Sequence, residues 1–190
     1  MSSRTTLGVL TVLGAAGLLA ACAADPVLVD GDDVPGATST NQNQGSNAPG
    51  WTWCDGIGPH LYASGSPVST WLAFGAQGDA GAVLVDRTED GLTSDRVLGQ
   101  IEEQADLCAA SDAVDRGYVI EPLTGLGADE VGWRTRTTDG EQGEYVVVRL
   151  DDARLLAVGV ESGEDVLPVD LAGLVALARD GAERFPARDG

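Results

Sequence analysis

Few side chains in this 190-residue chain carry chemistry by themselves. The single histidine, His60, sits in Gly58-Pro59-His60-Leu61-Tyr62, and no Gly-x-Ser-x-Gly turn accompanies it. A serine–histidine nucleophile therefore has no support. Glu102-Glu103 and Asp129-Glu130 are adjacent carboxylates. Neighbours on a helix point different ways, so such pairs make poor acid–base partners. A glycosidase draws its two carboxylates from distant positions, and no spacing argues for one. One histidine and no Cys-x-x-Cys leave zinc without a ligand set. Asp30-Gly31-Asp32-Asp33 lacks both the spacing and the closing Glu of a calcium loop. The sequence calls for no metal and no cofactor.

One constellation stands apart. In the segment Val131–Thr137, Arg134 and Arg136 share one strand parity, opposite Trp133; in the next segment, Tyr145, Val147 and Arg149 share a parity, opposite Val146, Val148 and Leu150. If Val146, Val148 and Leu150 face the core with Trp133, then Arg134, Arg136, Arg149 and Tyr145 line the other face. The functional reading is an anion-binding face for a carboxylate, a phosphate or an acidic glycan. The competing reading is cross-strand pairing with Glu141, Glu144 or other acids, which is common on surfaces and contributes little. Trp71 and Trp133 read as core residues rather than stacking platforms.

The elements that must position these groups follow from pattern. Ser69–Phe74 and Ala82–Asp86 read as strands around the Gly-rich turn Gly75–Gly81. Ser94 is a candidate N-cap, and Val97, Leu98, Ile101, Ala105 and Cys108 recur at helical spacing. Strands are predicted at Gly117–Glu121, Val131–Thr137, Glu144–Leu150 and Arg154–Ser162, the last three as an antiparallel meander. A closing helix is predicted from near Pro168, with Leu171, Leu174, Val175, Ala178, Ala182 and Phe185 as its apolar stripe. The expected fold is α+β: an antiparallel sheet packed against two amphipathic helices, in a single domain after a disordered tether.

The N-terminus reads as an export signal. Arg4 is followed by the apolar run Leu7–Leu19 and then by Leu19-Ala20-Ala21-Cys22. The run is short and exits through small residues, which suits a signal peptide rather than a retained membrane helix. Leu19-Ala20-Ala21-Cys22 resembles the lipobox of bacterial lipoproteins. That resemblance implies cleavage after residue 21, lipidation of the Cys22 thiol and stable attachment through its acyl chains. The expected organisation is a signal peptide at 1–21, lipidated Cys22 with a polar tether over 22–50, and a domain over 51–190 opening at Trp51. The 28 residues 23–50 would span about 29 Å as a flexible coil. The expected location is the outer face of the cell membrane.

With Cys22 lipidated, Cys54 and Cys108 remain. In an exported protein an even remainder reads as a disulfide, stabilising by about 4 kcal/mol. A free-thiol pair and a metal site are the alternatives. Cys108 on the apolar stripe favours a structural role. The mature chain of 169 residues would carry 10 Arg against 30 acids, a net charge of −20. Such a charge repels nucleic acid and anionic lipid surfaces. Every basic residue is Arg and none is Lys; with abundant Ala, Gly, Val and Asp this points to a high-GC genome.

The segment Leu123-Thr124-Gly125-Leu126-Gly127-Ala128-Asp129-Glu130-Val131 is followed by Tyr145-Val146-Val147-Val148-Arg149, Leu155-Leu156-Ala157-Val158 and an Ala-rich helix. Over about residues 54–186 this resembles actinobacterial lipoproteins of the sensor-domain type, similar to the extracellular sensor domain of mycobacterial Ser/Thr kinases. The resemblance implies a non-enzymatic α+β domain with a ligand-binding cleft. The kinase sensor domains carry two disulfides, whereas this chain has one Cys pair to offer. The Gly turn does not serve as a nucleotide loop, because a strand follows it. The expected function is a membrane-anchored extracytoplasmic binding or sensor-type module, with a small anionic or apolar ligand between sheet and helices. The alternatives are a protein-interaction lipoprotein of an envelope complex and an unrecognised hydrolase.

Overall fold

The computed structural model describes residues 26–44, 67–85, 88, 91–110, 118–164 and 166–185. The expected signal segment, Cys22, Trp51, Cys54 and His60 lie outside the described residues. Among the described residues, seven strands form one antiparallel sheet. They are β1 (Ser39–Gln44), β2 (Val68–Ala73), β3 (Asp79–Val85), β4 (Tyr118–Pro122), β5 (Glu130–Thr137), β6 (Gln142–Arg149) and β7 (Leu155–Ser162), in the order β1-β2-β3-β7-β6-β5-β4. Two helices, α1 (Ser94–Ala110) and α2 (Leu171–Ala182), complete the α+β architecture expected from the pattern.

The helices lie on opposite faces of the sheet, so there are two cores. On one face α2 places Leu171, Leu174, Val175, Ala178 and Ala182 against Val68, Leu72, Leu84, Val146, Val148, Leu156, Val158 and Val160. On the other, α1 places Val97, Leu98, Ile101, Ala105 and Cys108 against Val83, Val85, Ile120, Trp133, Val147, Leu155 and Ala157. Strand residues of alternate parity enter alternate cores. This is why the central strands are apolar throughout rather than alternating.

Caps and turns fix the ends. The Thr93 hydroxyl accepts the Arg96 N–H at 3.3 Å and its carbonyl accepts the Val97 N–H, so α1 is capped one residue before the expected Ser94, which is buried. α2 starts later than expected: Asp170 caps it by accepting the Gly173 N–H at 2.8 Å, and Pro168 precedes the cap. Between β6 and β7, the Asp151 carboxylate accepts the backbone N–H groups of Ala153 and Arg154 at 3.0 and 2.9 Å and the Arg154 Nε at 2.6 Å. Burial pulls the Asp151 pKa up, but these donors outweigh it and hold the carboxyl below its ordinary value.

One expectation is overturned. Residues 26–44 are part of the domain, not of a tether ending at residue 50. Leu28, Val29 and Val34 are buried in the α2-side core, Leu28 with only 1% of its surface exposed. β1 then pairs with β2 along its whole length, and the Gln42 side chain donates to the Pro26 carbonyl at 2.8 Å. The physical reason is a close approach. Gly181 of α2 has no Cβ, and a Cβ there would overlap the Leu28 carbonyl. The missing methyl lets the Val27-Leu28-Val29 backbone lie directly on the helix. β1 lies at the edge of the sheet, and its Ser39–Gln44 composition is polar throughout.

Candidate functional site

The register of β5 and β6 decides the arginine constellation, and it overturns the expected shared face. The turn pairs Arg134 with Glu144, Trp133 with Tyr145 and Val131 with Val147. Trp133 therefore shares its face with Tyr145 and Arg149, while Arg134 and Arg136 lie on the opposite face with Val146 and Val148. The parity within each strand is as expected; the register between them is displaced by one residue, which flips one set to the other side. The arginines are also engaged. Arg134 forms an ion pair with Glu144, its Nε 2.7 Å from the carboxylate, and Arg149 pairs with Asp129, its Nε 2.9 Å away. Hydrogen bonding from the Arg149 guanidinium to Asp129 raises the Arg149 pKa further. Glu130 pairs with Arg179 of α2. Arg136 alone has no ion pair with a described acid, and one side chain does not make an anion face. The adjacent acids Asp129 and Glu130 thus serve two separate ion pairs.

The structure places a different site at the end of the sheet that α1 leaves uncovered. α1 packs on β4, β5 and β6, with its apolar stripe over Val83, Val85, Val147 and Leu155. Beyond it, two cross-strand rows face the same side. The inner row reads Trp71, Gly81, Gly159, Tyr145 and Trp133 across β2, β3, β7, β6 and β5. The outer row reads Asp79, Glu161, Gly143 and Thr135 across β3, β7, β6 and β5. Three of these nine positions are glycine, which lowers the floor of the sheet between large side chains.

The Tyr145 ring fills part of that depression. It leans along its own strand over Gly143, where a Cβ would overlap the ring and its hydroxyl. This tilt carries the hydroxyl to Glu161, where it donates to Oε1 at 2.6 Å. Tyr145 is 3% exposed, so the bond is made in a largely dry setting. Burial raises the Glu161 pKa above the ordinary carboxylate value; the Tyr145 hydrogen bond opposes this, and the neighbouring Asp79 and Glu141 charges add to it. Asp79 and Glu161 are directly opposed partners on β3 and β7. Like charges so placed repel.

Around this pair lies a cleft of about 360 Å³, lined also by Thr135, Thr137, Glu141, Gln142 and Ser162. Its hydroxyls differ in state. Ser162 donates to the Gln77 carbonyl at 2.8 Å and accepts the Glu164 N–H at 3.0 Å, so it is a fixed structural group and no nucleophile. Thr137 accepts the Glu141 N–H at 3.1 Å. Thr135 is 3% exposed, shares the face of Tyr145, and its hydroxyl has no hydrogen-bond partner among the described residues. Among those residues no group of three or more His, Cys, Asp or Glu could hold a metal ion.

Tyr145 is the one residue of the expected anion site that lies here, and its partner is an acid. Sequence reasoning missed Asp79, Glu161 and Thr135, which sit on three strands. The available signal was the alternation Gly143–Tyr145 beside Gly159–Glu161, small residues interrupting two otherwise bulky strands. Cys108 is 5% exposed on the inner stripe of α1 and is disulfide-bonded. Its expected partner, Cys54, lies outside the described residues. The chain matches no protein-family model, no curated protein and no solved structure.

Proposed function

We propose that this protein is an exported lipoprotein, anchored through Cys22 to the outer face of the cell membrane, whose domain binds a small ligand without transforming it. The observation that carries the binding role is the cleft lined by Asp79, Thr135, Tyr145 and Glu161 at the end of the sheet. It brings convergent polar groups together beside the apolar core under α1, and such groups fix the orientation of a small ligand. The non-catalytic part of the reading rests on chemistry. The cleft's serine is held by two backbone groups, and its tyrosine hydroxyl is committed to a carboxylate. The likeness of about residues 54–186 to sensor-domain lipoproteins belongs to the same reading, with an envelope-complex lipoprotein or an unrecognised hydrolase as its alternatives.

The seating of Leu28 changes how such an anchor would work. From Cys22 to Pro26 there are four peptide steps, which reach at most about 14 Å. A lipidated Cys22 would hold this domain against the membrane rather than float it on a coil of 28 residues. The test is detergent-phase partitioning of the full chain expressed with an intact envelope. Wild type is expected in the detergent phase and Cys22→Ser in the aqueous phase; equal partitioning overturns the anchor. Mass spectrometry of a bound ligand after prolonged incubation tests the absence of catalysis, and any product of its turnover overturns that part.

A further inference from the structure

We propose that the cleft at the end of the sheet that α1 does not reach binds a small organic cation, a protonated primary amine on a hydroxyl-bearing skeleton. This rests on the binding-module reading above and names the ligand class of the same site.

Three observations converge. The first is sign. Asp79, Glu141 and Glu161 line the cleft, and among the described residues no basic residue does. The nearest described guanidiniums on these strands, Arg134 and Arg136, are turned to the opposite face by the β5–β6 register, and Arg134 is held by Glu144. Four acids among the described residues have a guanidinium partner: Glu144 with Arg134, Asp129 with Arg149, Glu130 with Arg179 and Asp151 with Arg154. The cleft carboxylates are left without such a cation, and two of them are set opposite one another. A bound cation relieves that repulsion.

The second is the unpartnered Thr135 hydroxyl. The Thr135 residue is 3% exposed, its hydroxyl has no hydrogen-bond partner among the described residues, and it lines the cleft on the face of Tyr145. A hydroxyl that opens onto the cleft in that state can take its partner from a ligand. Thr135 can both donate and accept, so it suits a hydroxyl. The carboxylates suit N–H donors. Acceptors at one side and a hydroxyl at the other match an amine and a hydroxyl on one skeleton.

The third is geometry against a bare metal ion. No three acidic, His or Cys groups among the described residues converge closely enough to ligate a metal. The carboxylates are spread along the cleft, around an aromatic edge at Tyr145, which suits a molecular cation with a body. The net charge of −20 in the mature chain would also draw cations toward the domain.

The experiment is calorimetric and NMR titration of the full chain in detergent with three probes. Glucosamine and N-acetylglucosamine share a ring and hydroxyls and differ in the charge of the nitrogen; ethanolamine keeps the amine and one hydroxyl without the ring. Glucosamine is expected to bind saturably and to shift the amide signals of Thr135, Gly143 and Glu161. N-acetylglucosamine should bind at least tenfold more weakly, and raising the salt should weaken glucosamine binding. Ethanolamine binding as well as glucosamine would assign recognition to the amino alcohol alone; weaker binding would assign part of it to the ring. Glu161→Gln should lose about tenfold, and Thr135→Val severalfold with the fold unchanged by circular dichroism. Equal affinity for the acetylated sugar overturns the cation while leaving a binding cleft. Absence of saturable binding by all three probes overturns the inference; the anchor is judged separately by the Cys22→Ser partitioning.

Discussion

Along any central strand of this sheet, alternate residues enter two different environments. Toward α2, the core over β2, β3, β7 and β6 is closed, because residues 26–34 extend the cover that a 12-residue helix leaves incomplete. Toward α1, the helix stops part way among the described residues, and the strands continue into an acidic cleft. The closed face follows the ordinary rules of burial, with each apolar side chain contributing about 1.5–3 kcal/mol. The face toward α1 breaks them: it holds opposed carboxylates and a hydroxyl without a protein partner among the described residues. Departures of this kind cost stability and mark functional sites. The difference teaches that the same strands can supply stability on one side and a site on the other, because parity keeps the two tasks apart.

The comparison can be broken most severely at the disulfide on the α1 side. Pairing with Cys54 would close a long loop, and Cys108→Ser should then lower stability by about 4 kcal/mol. Denaturant melts give the magnitude, and non-reducing peptide mapping identifies the partner; a bond from Cys108 to Cys22 would overturn the lipid anchor. On the closed face, Leu28→Ala should cost about 3 kcal/mol, the ordinary penalty for a buried leucine, with probe binding unchanged. A negligible loss in a urea melt would return residues 26–34 to the role of tether.

Smaller effects sharpen the contrast. Gly143→Ala should cost about 2 kcal/mol, because its Cβ displaces the Tyr145 ring. Loss of the hydroxyl contact to Glu161 would be visible in the tyrosine NMR signals, and an unmoved ring would refute the packing described here.

Glu161→Gln acts through protonation. Its folded pKa is raised, so the folded state holds more protons than the unfolded chain between the ordinary and the raised values, and stability falls as pH rises through that window. The groups that face it are Asp79 on β3, Glu141 in the β5–β6 turn and Tyr145 on β6. The substitution should therefore stabilise at neutral pH by less than about 1 kcal/mol, since the site is partly exposed. The gain should vanish in acid, and a gain independent of pH would exclude the electrostatic cause. The smallest effect belongs to the Arg134–Glu144 pair on the other face. A double-mutant cycle there should give a coupling of about 0.5 kcal/mol, and a much larger value would mean that this pair organises the sheet.

The sequence by itself determined the elements. β2 to β7, α1 and α2 were legible to within a few residues, because helical and strand periods are local properties of the chain. The stripes Val97–Cys108 and Leu171–Ala182 are buried as their spacing required. The parity of Arg134 with Arg136, and of Tyr145 with Arg149, was legible for the same reason.

What tertiary structure alone decided is every relation between elements. The pairing of Trp133 with Tyr145 is set by turn geometry, and a change of one residue in register reverses which side chains share a face. Val27-Leu28-Val29 is too short to show a period, so only the vacancy at Gly181 reveals that it belongs to the core. The cleft assembles Asp79, Thr135 and Glu161 from three strands, with β3 far in the chain from the meander of β5, β6 and β7. Strand pairing brings them into one row, and no local pattern along the backbone records that meeting.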